Sequence, residues 1–260
     1  MLKLIKYEFR KWRTTLLALV AGLVALEVGF VIGVSMDKTG LMSVCLSLIT
    51  VLTFAAFAYL LIAGIASYSQ ELREKSGYLI FMTPVGPLGV VLSKLLFIAL
   101  TAVAAMALFG AAAYFDFRYL IGKLDLDAKT MDQINALLRF GLKTNATAQQ
   151  IVRMAGFSMV SALLEVLMTM CTAYLAITLS ATLLQNKKGF LRGFISFALF
   201  VALTWGCNWL AQKLVYDRVA MDASLSEFAT MIGWSAAFNF VFCALFAGAS
   251  AWLLDRKVDL

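Results

Sequence analysis

The sequence predicts an all-α, polytopic membrane protein with six transmembrane helices, and three observations lead there. Of 260 residues, 62% are hydrophobic and 14% charged, with a mean hydropathy of +0.89, whereas soluble domains hold about 45 to 50% apolar residues. The charges cluster between apolar runs. Six of these runs, at 14–35, 41–67, 90–115, 154–184, 194–211 and 231–254, reach the ~20 helical residues needed to cross a ~30 Å hydrocarbon core. Strands of a membrane barrel alternate over only ~10 residues.

The chain opens on a distinct unit at 2–13. Leu2, Ile5, Phe9 and Trp12 recur at helical spacing, and Lys3, Lys6, Arg10 and Arg13 follow one position on. Adjacent apolar and basic stripes of this kind predict a helix lying in the membrane interface, with Trp12 at headgroup depth. The run that follows is longer than the 7 to 15 residues of a signal-peptide core and leads into a short polar turn and a second span. It is expected to be a retained helix.

Between the second and third spans lies a polar segment at 69–87 that holds both prolines of the chain. Glu71 and Lys75 stand four apart in the favourable acid-first order, which predicts a short helix at about 69–83. Pro84 and Pro87 then break the chain before the third span. Residues 116–153 form the one sizeable hydrophilic excursion. Within it Met131, Ile134, Leu137 and Leu138 share a helical face, so an external amphipathic helix is expected, and Thr147 opens a capping-box pattern into the fourth span.

Lys and Arg in short loops are retained on the cytoplasmic side. With the N-terminus inside, Lys3, Lys6, Arg10, Lys11, Arg13, Arg73, Lys75, Lys94, Lys187, Lys188, Arg192, Arg256 and Lys257 all fall there. Both termini are therefore expected in the cytoplasm of a plasma membrane. The net charge of +7 then reflects topology and anionic lipid, and no nucleic-acid partner is expected.

Cys45, Cys171, Cys207 and Cys243 all fall within spans, and their spacing marks neither a disulfide nor a metal site. Histidine is absent, which removes histidine-ligated haem, zinc-peptidase motifs and histidine-based triads. No Gly-rich loop ends in Gly-Lys-Ser or Gly-Lys-Thr, so the chain itself is not expected to be an enzyme or to bind a catalytic metal or cofactor.

The opening Leu4-Ile-Lys-Tyr-Glu-Phe-Arg-Lys11, then Glu74-Lys-Ser-Gly77, Leu79, Met82-Thr-Pro-Val85 and Lys94, and the basic turn Leu183-Leu-Gln-Asn-Lys-Lys-Gly189 together resemble the permease subunit of a type-2 ATP-binding-cassette exporter. The resemblance covers nearly the whole chain, although Tyr78 stands where the family usually has Thr. It implies that the 69–83 segment is a coupling helix docking on a nucleotide-binding ATPase subunit. Glu71, Arg73, Glu74 and Lys75 would make the polar contacts, with Tyr78, Leu79 and Phe81 as anchors. It further implies that ATP and Mg are bound by that partner, that a second permease copy or a paralogue completes the pathway, and that an amphipathic compound, peptide or lipid is exported.

Glu27 and Glu165 lie within spans, where a carboxyl is costly unless it faces protein or water. Counted along the helices, both stand roughly 12 to 17 Å below the outer boundary at ~1.5 Å per residue. They are candidates for the pathway or a dimer seam, the alternative being protonated groups bonded to nearby hydroxyls. Gly29 and Gly33 form a small-xxx-small pair that permits close helix contact, as at a dimer seam. Two other functions remain open: a secondary ion- or proton-coupled transporter using these acids, and a non-transport membrane scaffold or immunity protein.

Overall fold

The computed structural model describes residues 2–73, 87–123, 148–183, 190–216 and 225–257. Every regular element among them is helical: α1 (Leu2–Ser35), α2 (Thr39–Arg73), α3 (Pro87–Lys123), α4 (Ala148–Leu183), α5 (Phe190–Ala211, continued by a π-helical turn Gln212–Tyr216) and α6 (Leu225–Lys257). All six are long and apolar enough to cross a membrane. The chain divides into two compact units. One holds α1 from Lys6 onward, α2 up to Ile62 and α3 from Leu100, and the other holds the rest of α2 and α3 together with α4, α5 and α6.

Three boundaries differ from those expected. The 2–13 segment is no separate interfacial helix, because it runs unbroken into the first span as part of α1. No Gly or Pro interrupts residues 10–18, so nothing releases the backbone from its helical ladder. Trp12 is buried, with its ring edge-on to Tyr59 at 5.7 Å. Secondly, α3 continues past residue 115 to Lys123, because Phe117, Tyr119, Leu120 and Ile121 keep the stretch apolar enough to extend the helix. Asp116, expected to open the external segment, is therefore a helical residue. Thirdly, α2 extends to Arg73, so Glu71 and Arg73 belong to a spanning helix. Residues 74–86, with Glu74, Lys75, Tyr78, Leu79 and Phe81, and residues 124–147, with the expected external helix, lie outside the described residues.

In the first unit α1 and α2 form a hairpin. Lys38 N donates to Gly33 O and Met36 N to Ile32 O, and Asp37 takes a left-handed φ of 53°, a conformation that Asp tolerates better than most residues. A side chain at Gly33 would place its Cβ 3.0 Å from Met42 N, and one at Gly29 would stand 3.1 Å from Cys45 Sγ. The close approach that these glycines permit is thus made with α2 of the same chain. Around it Leu23, Phe30, Val34, Cys45 and Ile49 form the core, with Phe109 and Leu120 of α3 packed against them.

In the second unit α4 packs along α6 and also against α5. Gly64 of α2 admits Met170 of α4 and Ile98 of α3, whose side-chain ends would stand 2.9 and 3.0 Å from a Cβ there. Serine and threonine along these helices donate to carbonyls three or four residues back, as Thr172 does to Met168 O, Ser180 to Ile177 O and Ser250 to Ala247 O. The helices thereby satisfy their own hydroxyls, a condition for placing them in lipid.

Candidate functional site

The second unit contains a cavity of about 430 Å³ between α4, α5 and α6. Glu165 of α4 lines it, with Thr204, Asn208 and Gln212 from α5 and its π turn, and Ser235 and Asn239 from α6. The one-residue insertion of a π turn locally re-aims side chains, and such turns are frequent at functional sites; here it begins at Gln212, a lining residue. Thr169 and Thr172 also line the cavity, and they donate to the carbonyls of Glu165 and Met168. Their protons are used there, so their oxygens are left as acceptors. Thr204 Oγ1 is buried with no hydrogen-bond partner among the described residues. One carboxyl, three amides and several hydroxyl acceptors suit a polar or positively charged group, and the wall formed by Met168 and Phe238 suits an apolar portion.

A second polar cluster joins α2, α3 and α4. Lys94 of α3, only 5% exposed, donates from Nζ to Glu71 Oε1 at 2.6 Å and to Ser67 Oγ at 3.4 Å. One helical turn back from Glu71, Tyr68 stacks on Tyr174 of α4 with ring centroids 4.2 Å apart, and its hydroxyl meets Thr178 Oγ1 at 3.0 Å. Thr178 donates its one proton to the Tyr174 carbonyl, so the Tyr68 hydroxyl is the donor of the pair. Buried charges are tolerated when they are paired and hydrogen-bonded, as Lys94 and Glu71 are.

The first unit places Glu27 of α1 beside Asp116 of α3, close enough for the two carboxyls to interact directly. Neither oxygen of Glu27, nor Oδ1 of Asp116, has a hydrogen-bond partner among the described residues. Next to them lies a cavity of about 410 Å³, lined by Asp116 and by Phe30, Phe54 and Phe109.

The residues picked from sequence therefore fall into four places. Glu165 lines the polar cavity, Glu27 belongs to a carboxyl pair, Glu71 is held by Lys94, and Gly29 and Gly33 serve the α1–α2 contact. Asp116, Asn208 and Asn239 were not picked, although an amide or acid within an apolar helix is itself a signal. Sequence reading also missed that Cys171 and Cys243, 72 positions apart, bring their sulfurs to 3.1 Å. Among the described residues no group of three or more His, Cys, Asp or Glu side chains is placed to hold a metal ion.

No protein-family model, curated protein or solved structure matches the chain.

Proposed function

We propose that the chain is the membrane-spanning permease subunit of an ATP-driven exporter, with ATP hydrolysed on a separate polypeptide. The observation that carries the reading is the buried Lys94–Glu71 ion pair. It ties α2 to α3 at the 69–83 segment, for which the resemblance to exporter permeases implies docking on an ATPase. A force applied to that segment enters two helices clamped to each other by an ion pair, and packed elements that move as rigid bodies transmit such a force over distance. Tyr68 passes the contact to Tyr174 and Thr178 on α4, the helix that also carries Glu165 into the polar cavity. The cavity supplies a place for the polar or charged part of an amphipathic compound, peptide or lipid.

In this reading both termini are in the cytoplasm of a plasma membrane, ATP and Mg reside on the partner, and a second permease copy or paralogue supplies the other half of the pathway. The test is affinity purification of the tagged chain from the cells that make it, with identification of any ATPase that co-purifies. Co-purification, with vanadate-sensitive transport that Glu71→Ala reduces about tenfold or more, supports the reading. Transport that persists in vanadate and follows an ion gradient overturns it. That outcome supports a second reading, an ion- or proton-coupled transporter, which is favoured by the unpartnered Glu27–Asp116 carboxyls.

A further inference from the structure

In the first unit, two acids and an apolar cavity form a combination that structural needs leave unexplained. Asp116 is 5% exposed and lines the cavity, yet among the described residues its Oδ1 has no partner, and Glu27 beside it adds two more unpartnered oxygens. An acid buried without a donor costs free energy that packing does not return. A pair of carboxyls between apolar spanning helices is a marker of function rather than of stability. The groups that would normally satisfy such oxygens are a proton between them or a cation from outside.

The walls decide between kinds of cation. A hard divalent ion takes six or more oxygen ligands, and this cavity is walled largely by Phe30, Phe54, Phe109 and aliphatic side chains. Aromatic faces attract cations through the ring quadrupole. Thr50 and Thr53 also line the cavity, and both donate to carbonyls of their own helix, so they offer only acceptor oxygens. Every polar atom described in the lining is therefore poised to receive positive charge. Two adjacent carboxyls sharing one proton carry one negative charge, which matches a single positive one. A volume of about 410 Å³ lies in the range of small-molecule sites, about 300 to 1,000 Å³.

We propose that the α1–α2–α3 unit contains a binding site for a lipophilic organic cation of single charge, held at Asp116 with Glu27 beside it, its apolar body among Phe30, Phe54 and Phe109. Bound there, the cation neutralises the one negative charge that remains when the two carboxyls share a proton. The inference requires a membrane-spanning chain and is independent of any ATPase, so its failure leaves the exporter reading untouched, and the reverse also holds.

Equilibrium binding to the full-length protein in phosphatidylcholine nanodiscs tests it. Tetraphenylphosphonium serves as the cationic probe and triphenylphosphine oxide as the uncharged one. The wild type is expected to bind the cation in saturable fashion, and excess oxide is expected not to displace it. Asp116→Asn should weaken binding about tenfold, a loss of about 1.4 kcal/mol, and Glu27→Gln and Phe109→Leu about threefold each, while Lys213→Gln on α5 changes nothing. Should Asp116→Asn fail to fold, Glu27→Gln and Phe109→Leu carry the test. Absent saturable binding, unchanged affinity in the Glu27 and Phe109 variants, equal displacement by the oxide, or displacement by calcium at millimolar concentration would each overturn the proposal.

Discussion

Glu71 in one unit and Asp116 in the other are both acids withdrawn from water by long apolar helices, but only Glu71 has a cation in contact, at 2.6 Å. Around Glu71 the polar groups close on one another: Lys94 also reaches Ser67, and Tyr68 one turn away bonds to Thr178. Beside Asp116 stands another carboxyl, that of Glu27, and Asp116 Oδ1 and both Glu27 oxygens lack donors among the described residues. The contrast separates two uses of the same side chain. A satisfied acid fixes helices in register, whereas an unsatisfied one costs stability and is retained for what it binds.

The largest effect is expected where the satisfied cluster is broken. Lys94→Met leaves Glu71 buried without its cation and should destabilise the protein by about 3 to 5 kcal/mol, read as a fall in the thermal unfolding midpoint in detergent. Adding Glu71→Gln should recover part of the loss, and a double-mutant cycle with no coupling between the two sites would break the comparison. Next comes Gly33→Leu, which drives a side chain against the Met42 backbone 3.0 Å away and should cost about 1 to 3 kcal/mol by overpacking. An unchanged midpoint there would mean that α1 and α2 do not meet at this point.

A smaller change of opposite sign is expected at the unsatisfied pair. Asp116→Asn supplies an N–H donor to Glu27 and should raise stability by about 0.5 to 1.5 kcal/mol. If it lowers the midpoint as Lys94→Met does, the two acids are alike after all. The smallest effect on stability, and the sharpest on geometry, is expected at Cys171 and Cys243. With copper–phenanthroline as oxidant, the two thiols should lose their hydrogens and join within one chain. Peptide mapping would then show both protected from alkylation while Cys45 and Cys207 remain reactive, and full alkylation of all four would contradict the 3.1 Å contact.

Much of the fold could be read from sequence because length and hydropathy determine a spanning helix locally. The six runs needed only their apolar residues to be seen, and their ends moved by a few turns where apolar residues continue beyond a charged one, as Phe117 to Ile121 do beyond Asp116. The site was legible only in part. Glu27 and Glu165 stood out as acids in apolar runs, but the partner of each is set by helix pairing between residues tens of positions apart, as with Glu71 and Lys94, or Glu27 and Asp116. Gly29 and Gly33 were recognisable as a contact surface, and what they contact was not, because a small residue carries no mark of its neighbour.

The shortest helix has a consequence of its own. At 22 residues, α5 is about 33 Å long and nearly equal to a ~30 Å hydrocarbon core, while the other helices, of 33 to 37 residues, have length to spare. Just past its end Lys213 sits over the Trp209 ring at 4.4 Å, an aromatic and basic collar of the kind that settles at a headgroup boundary. A helix so matched and collared cannot slide along the membrane normal without drawing Lys213 into oil or exposing leucine to water. Along the membrane normal, then, α5 is the fixed wall of the Glu165 cavity, and α4 and α6, with length to spare, are the walls free to shift.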